Sequence, residues 1–168
     1  MNLKVAIIED EVQAVNILRH MLSAIKQKIE IIGTASHVDA GVRLLNDNDV
    51  DLVFLDIKIH GGSGFELLER LNNRNFSLVF TSAHDEYALR AFRFSAVDYL
   101  LKPFDIAQLE EAVGRAKAID DTQFEMTKLA SKEKFDCIRI PTKGEMHLLK
   151  FGDILYCQSF NNYTEFNL

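Results

Sequence analysis

The sequence predicts an α/β fold, in which a doubly wound, five-stranded parallel sheet precedes a small, partial β domain. Two observations lead to the first part of this prediction. Short apolar runs alternate with segments of helical periodicity over about the first 120 residues. Polar or charged side chains come directly after four of the five runs, which is typical of a parallel sheet whose carboxyl edge holds a site.

The apolar runs are the predicted strands. They cover residues 3–8, 29–35, 52–55, 78–81 and 97–101. Between them, apolar residues recur at helical spacing, so each intervening helix is expected to pack one face on the sheet. A loop with three glycines at 61, 62 and 64 precedes the third helix. The fourth helix is predicted over about Asp85–Arg93, and Asp105 is predicted to cap the fifth.

The pattern changes after the fifth helix. Residues 121–135 are polar and are predicted to form a linker or a helix extension. Beyond them the apolar period becomes two, with a turn at Thr142–Glu145, which predicts short strands in a β domain over 136–168. About 35 residues are too few to bury a core alone, so the chain is expected to stop partway through this domain. The first domain is placed at 1–120.

Composition and charge exclude several classes of protein. All of the net charge of −6 lies in residues 1–121, which argues against a nucleic-acid surface there, since DNA binding needs clustered cations. The apolar runs are shorter than a membrane span and acidic residues interrupt the N-terminus, so a cytoplasmic protein without membrane contact is expected. Cys137 and Cys157 lack the spacing of a metal or redox site and are interpreted as reduced strand residues.

Polar side chains at the strand ends predict a site. Glu9 and Asp10 follow the first strand and Asp56 follows the third, and these strands are central neighbours in a doubly wound sheet. Converging carboxylates suit Mg²⁺, which can draw in a phosphoryl donor and leave one carboxylate as nucleophile. Ser82 can bond one phosphoryl oxygen, and Lys102 can pair with another or with Asp56. Each residue alone could be an ordinary cap or surface group, but together they occupy four strand ends.

These motifs resemble those of two-component response regulators. Ile7–Glu11 is similar to the acidic pair of that family, and Phe54–Ile57 to the segment with its phosphorylated aspartate. Thr81–Ala83 is similar to its hydroxyl motif, and Leu101–Phe104 to its lysine-proline pair, whose peptide bond is cis in the family. The resemblance implies a flavodoxin-like receiver with strand order 2-1-3-4-5.

The resemblance also implies roles for single residues. Asp56 would be the phosphoacceptor, and Asp10, Asp56 and the backbone carbonyl of Lys58 would ligate Mg²⁺ or Mn²⁺, with Glu9 acting through a bound water. Tyr99 would be the aromatic switch that moves with Ser82, and Lys102 would contact the phosphoryl group. Such a protein catalyses its own phosphorylation and dephosphorylation and is not a turnover enzyme.

Two further stretches narrow the resemblance to regulators of the LytTR (LytR/AgrA) type. These are Asp85–Phe92 with Ala96–Phe104, and the strands of the tail. The type implies a sensor histidine kinase as partner and a homodimer through the fourth helix, fifth strand and fifth helix. It implies transcription regulation through a LytTR domain, with DNA bound only by the full-length output domain. A receiver-only interaction module without DNA-binding output is the alternative.

The sequence departs from the family after the phosphoacceptor strand. Ile59-His60 stands where the family usually has Met-Pro, and a surface role rather than metal ligation is predicted for His60 and His84. A haloacid-dehalogenase-type phosphatase is disfavoured because Lys58 occupies the place of its second carboxylate. A dinucleotide-binding enzyme is disfavoured because acids, not glycines, follow the first strand.

Overall fold

The computed structural model describes residues 2–127, 137–142, 145–150, 156–160 and 163–167. Within them the chain divides into two compact units, Met1–Glu125 and Met126–Leu168. The strands of the first unit are β1 (Leu3–Ile8), β2 (Ile29–Ala35), β3 (Leu52–Asp56), β4 (Lys58–Ile59), β5 (Gly62–Ser63), β6 (Ser77–Ser82) and β7 (Asp98–Leu101). Its helices are α1 (Val12–Ala24), α2 (Val38–Asp47), α3 (Gly64–Glu69), α4 (Ala88–Phe92) and α5 (Ile106–Thr127).

Five strands of the first unit form one parallel sheet in the order β2-β1-β3-β6-β7. The two-residue strands β4 and β5 pair only with each other, so this order is the predicted 2-1-3-4-5. The doubly wound, flavodoxin-like prediction is therefore confirmed. The peptide bond between Lys102 and Pro103 is cis, as the resemblance implied.

The sheet is buried on both faces. Alternate residues of β3 belong to two hydrophobic clusters: Phe54 belongs to the one that includes Leu109 of α5, and Leu55 to the one that includes Phe65 of α3. All five residues of β3 are buried. A strand covered by helices on both sides needs apolar residues along its covered length, which is why Leu52–Leu55 appear in the sequence as a continuous apolar run.

Two elements differ from their predicted form. The fourth helix, predicted over Asp85–Arg93, is a 3-10 turn over Asp85–Tyr87 followed by the five-residue α4. The glycine loop after β3 forms the small β4–β5 hairpin, in which Gly61 has a φ of 82° that favours glycine. Asp105 caps α5 as predicted, because its carboxylate accepts a hydrogen bond from the Gln108 backbone N–H at 2.9 Å.

The described strands of the second unit form two antiparallel pairs. β8 (Cys137–Thr142) pairs with β9 (Glu145–Lys150), and β10 (Tyr156–Phe160) pairs with β11 (Tyr163–Asn167). The predicted strand character of the tail is confirmed, while the middle of the predicted turn at Thr142–Glu145 lies outside the described residues. Helix α5 extends to Thr127, and the domain limits 1–120, 121–135 and 136–168 stay a prediction. No helix in the described ranges combines the length and apolar character needed to cross a membrane.

Candidate functional site

The carboxyl ends of four neighbouring strands bring the predicted residues together. Glu9 and Asp10 follow β1, Asp56 ends β3, Ser82 ends β6, and Lys102 follows β7. One carboxylate oxygen from each of Glu9, Asp10 and Asp56 lies within 4.8 Å of the others. The predicted convergence is thus confirmed, whereas the chemical role of each residue stays a prediction.

Lys102 bridges two of the three carboxylates. Its Nζ lies 2.5 Å from Oε2 of Glu9 and 2.6 Å from Oδ2 of Asp56. The side chains of Glu9 and Asp56 are only 5% and 11% exposed, so water screens these charges poorly. The predicted pairing of Lys102 with Asp56 is present, and the contact with Glu9 was not predicted.

Burial and pairing act in opposite directions on the pKa values of this cluster. Burial raises the pKa of Glu9 above its ordinary value, and the hydrogen bond from Lys102 only partly opposes it. For Lys102, burial favours the neutral amine, but the hydrogen bonds to Asp56 and Glu9 outweigh it and raise the pKa. We conclude that the ammonium form of Lys102 persists at neutral pH.

The backbone around Asp56 holds its carboxylate in place. The Lys58 N–H donates to Oδ1 of Asp56 at 3.1 Å, while the Lys58 side chain is exposed. Gly64 approaches the same segment closely, since its N–H donates to the Ile57 carbonyl at 2.8 Å and a Cβ there would collide with the carbonyl oxygen of Asp56. Glycine at position 64 therefore lets α3 begin directly beneath the site.

Ser82 and Tyr99 meet at the connection between β6 and α4. The buried Ser82 hydroxyl accepts a hydrogen bond from the His84 N–H at 3.2 Å, and the Tyr99 hydroxyl donates to the His84 carbonyl. Burial raises the pKa of Tyr99, and a hydrogen bond with Ser82 opposes that rise. The two predicted switch residues, Ser82 at the end of β6 and Tyr99 on β7, thus both hydrogen-bond the backbone of His84, and their role as a switch stays a prediction.

Comparison with known proteins shows the family. Residues 5–114 match the model of the response regulator receiver domain. The chain belongs to the response regulator family.

Relatives of this chain agree with its resemblance to regulators of the LytTR type. The sensory transduction protein LytT of Bacillus anthracis is 34% identical over 161 residues, which make up 92% of this chain and 65% of that protein. The transcriptional regulatory protein LytR of Staphylococcus aureus (strain N315) is 32% identical and is covered to 68% of its length. The chain therefore spans about two thirds of the LytT and LytR proteins that it resembles.

A solved structure agrees with the receiver fold. The response regulatory domain of protein mrkE from Klebsiella pneumoniae superposes with a TM-score of 0.66 at 29% identity. The superposition covers 72% of this chain and 100% of that one.

The donor set of the receiver fits a hard divalent cation. Three carboxylates face one ammonium, which leaves an excess of negative charge in a partly buried space. Carboxylate oxygens are ligands that Mg²⁺ and Mn²⁺ accept, and the resemblance adds the backbone carbonyl of Lys58. The residues present are therefore suited to the metal that the family resemblance implied.

Sequence reasoning missed one residue of the receiver site. Nδ1 of His60 lies 3.2 Å from Oδ2 of Asp10. The His60 side chain is 68% exposed, in agreement with its predicted surface position, but its contact with a carboxylate of the cluster was not predicted. The signal that pointed to it was the departure from the family pattern at Ile59-His60.

Proposed function

We propose that this receiver accepts a phosphoryl group on Asp56 from a phosphohistidine of a sensor kinase. The observation that supports this most directly is the geometry around Asp56. Two further carboxylates lie within 4.8 Å, and the Lys102 ammonium lies 2.6 Å from its Oδ2. This arrangement combines a nucleophile with the positive charge that a phosphoryl group requires.

The transfer step follows from these groups. A carboxylate oxygen of Asp56 forms a bond to phosphorus, the bond from phosphorus to the kinase imidazole breaks, and its electron pair leaves with the imidazole nitrogen. Lys102, now bonded to Asp56 and Glu9, would donate to a phosphoryl oxygen. The Ser82 hydroxyl, now an acceptor of the His84 N–H, would turn and donate to another.

Asp10, Asp56 and the Lys58 carbonyl would hold Mg²⁺ or Mn²⁺, with Glu9 acting through a water. When bound, the ion supplies positive charge that offsets the charge of the phosphoryl oxygens. Each transfer leaves Asp56 phosphorylated, and hydrolysis of the phosphoryl group restores the free carboxylate. The chain therefore acts as a phosphoryl acceptor and not as a turnover enzyme.

The proposed switch continues from Ser82 to Tyr99 and the surface formed by α4, β7 and α5. Among the residues whose burial the structure describes, exposed large apolar side chains lie on each of these elements, namely Leu89, Leu101 and Ile106 respectively. We propose that phosphorylation makes this surface dimerise, and that in the full-length regulator the dimer aligns two LytTR-type domains on DNA in the cytoplasm. This proposal is supported by the LytR relative, which is named a transcriptional regulatory protein.

Intact mass spectrometry tests the acceptor proposal. The chain is treated with Mg²⁺ and acetyl phosphate, alongside Asp56→Asn. We expect one phosphoryl group to be added to the wild type and none to the variant. A wild type that gains no mass, or a variant that gains the same mass, would contradict it.

Sedimentation velocity tests the dimer. The wild type is expected to shift from monomer to dimer on phosphorylation, and Leu89→Ser is expected to weaken the dimer without lowering phosphorylation. Ile17→Ser is the matched control, because Ile17 is an exposed apolar residue on α1. An unchanged sedimentation coefficient in fully phosphorylated wild type would refute this part.

Chromatin immunoprecipitation of the native protein tests the DNA-binding output. Enrichment of particular promoters that depends on Asp56 would support transcription regulation. Its absence from all promoters would favour a receiver-only interaction module.

A further inference from the structure

An imidazole stands beside one carboxylate of the proposed metal site. The His60 Nδ1 and the Asp10 Oδ2 are 3.2 Å apart, at the outer side of the carboxylate cluster. The family that the sequence resembles usually has proline at this position, and a proline side chain offers no metal ligand. This chain therefore presents a nitrogen donor where the family pattern has none.

The local backbone keeps His60 in this position. Its carbonyl accepts a hydrogen bond from the Val38 N–H at 3.0 Å, and it forms an isolated bridge with His37. The preceding residue, Ile59, is buried and anchors the segment. The imidazole itself remains 68% exposed, so a solvated ion can reach it.

Asp10 is the carboxylate that Lys102 does not contact. The Lys102 ammonium bonds Glu9 and Asp56, whereas Asp10, among the described residues, pairs with His60. A cation bound by Asp10 would therefore meet a carboxylate oxygen and an imidazole nitrogen at the mouth of the site.

The spacing of these two atoms suits one shared ion. Adjacent ligands of an octahedral ion lie about 3 Å apart, because each is about 2.1 Å from the ion. Oxygen ligands suit Mg²⁺, whereas imidazole suits later divalent ions such as Ni²⁺ and Zn²⁺. We propose that His60 determines metal specificity, so that the site binds nitrogen-preferring divalent ions as well as Mg²⁺. This inference rests on the proposed metal site at Asp10 and Asp56.

Isothermal titration calorimetry tests the proposal on the full chain without an affinity tag. Ni²⁺ and Mg²⁺ are titrated separately, at one fixed and mildly alkaline pH, into wild type, His60→Asn, His20→Asn and Asp10→Asn. His20 is the matched control because it is an exposed histidine on α1, away from the carboxylates. Asparagine keeps a neutral polar side chain but removes the imidazole nitrogen.

We expect His60→Asn to bind Ni²⁺ about tenfold more weakly than the wild type, because losing a group around a metal site typically lowers metal affinity by about this factor. Its Mg²⁺ affinity is expected to stay within about twofold of the wild-type value. His20→Asn is expected to change neither affinity. If His60 had a purely structural role, His60→Asn would weaken the binding of both ions equally. The ratio of the Ni²⁺ affinity to the Mg²⁺ affinity therefore separates a structural role from a role in metal specificity.

The outcomes distinguish this inference from the metal site on which it depends. If Asp10→Asn loses Mg²⁺ binding while His60→Asn keeps the wild-type ratio, the role of His60 is overturned and the metal site stands. If Asp10→Asn binds Mg²⁺ as the wild type does, the metal site fails and the inference fails with it.

Discussion

Among single residues, Lys102 determines the charge balance of the site. Its ammonium is the counter-charge for the nearly buried carboxylates of Glu9 and Asp56. Lys102→Met keeps a long side chain but leaves these carboxylates unpaired. We therefore expect the free energy of unfolding of the metal-free protein to fall by roughly 3 kcal/mol. Urea unfolding in a chelating buffer measures this change.

Two further variants show whether the cost comes from the stranded charges. Lys58→Met removes an exposed lysine close to Asp56 and is expected to leave stability nearly unchanged. The double variant Lys102→Met with Glu9→Gln removes one stranded charge and is expected to recover part of the loss. Equal urea midpoints for wild type and Lys102→Met would show that the bridge contributes nothing to stability.

The raised pKa of Glu9 makes stability depend on pH. Because the folded protein binds the Glu9 proton more tightly than the unfolded chain, it takes up that proton first as pH falls from neutral. The contribution of Glu9 to stability is therefore largest below its unfolded pKa, near 4.5, and is lost as pH rises through the higher folded value.

Chemical unfolding of the metal-free protein across this pH range measures the effect. We expect the stability of the wild type minus that of Glu9→Gln to increase as pH falls from neutral toward 4.5. A flat difference, or one that decreases, would show that burial does not govern the Glu9 carboxylate.

At the scale of elements, the five-residue α4 depends on contacts with α3. The guanidinium of Arg90 lies 4.2 Å from the centre of the buried Phe65 ring, and it is 3.9 Å from Glu69. Because a helix this short has little stability of its own, we expect Arg90→Ala to cost about 1 kcal/mol. The same variant should increase amide hydrogen exchange across α4, which mass spectrometry can follow.

The controls separate the aromatic contact from the ion pair. Arg93→Ala removes an exposed arginine next to α4 and is expected to have little effect. Glu69→Gln should also have little effect, because ion pairs between exposed side chains stabilise weakly. If Glu69→Gln costs as much as Arg90→Ala, the ion pair and not the ring holds α4.

The sequence predicts secondary-structure elements well where buried positions recur regularly along the chain. The bounds of β1 and β2 agree with the predicted runs at 3–8 and 29–35, because apolar side chains recur along both strands. β1 is buried at five of its six positions, and β2, at the edge of the sheet, is partly buried. The meeting of Asp10, Asp56 and Lys102 follows in turn, since parallel strands end at the same edge.

The elements that the sequence does not predict depend on contacts across the fold. The fourth helix has apolar residues at helical spacing, yet its first turn is a 3-10 turn, with the Tyr87 ring beside Phe65. The contacts of Lys102 with Glu9 and of His60 with Asp10 join residues that are 93 and 50 positions apart. Local periodicity carries no information about such pairs.

At the scale of the whole molecule, the receiver is expected to fold without the tail. Its two hydrophobic clusters of described residues already include side chains from all five strands of the parallel sheet and from all five helices. A chain ending at Thr127, the last residue of α5, should keep the melting temperature of the receiver. Its amide NMR spectrum should match the corresponding signals of the full chain.

The tail alone is expected to behave differently. A fragment over 126–168 is too short to bury enough apolar surface for independent stability, so its paired strands should not unfold cooperatively in isolation. Thermal unfolding of each fragment, followed by circular dichroism in separate samples, tests both expectations. A shortened receiver that melts well below the full chain would show that the tail stabilises it, and a cooperative transition in the tail would show that its strands form a core of their own.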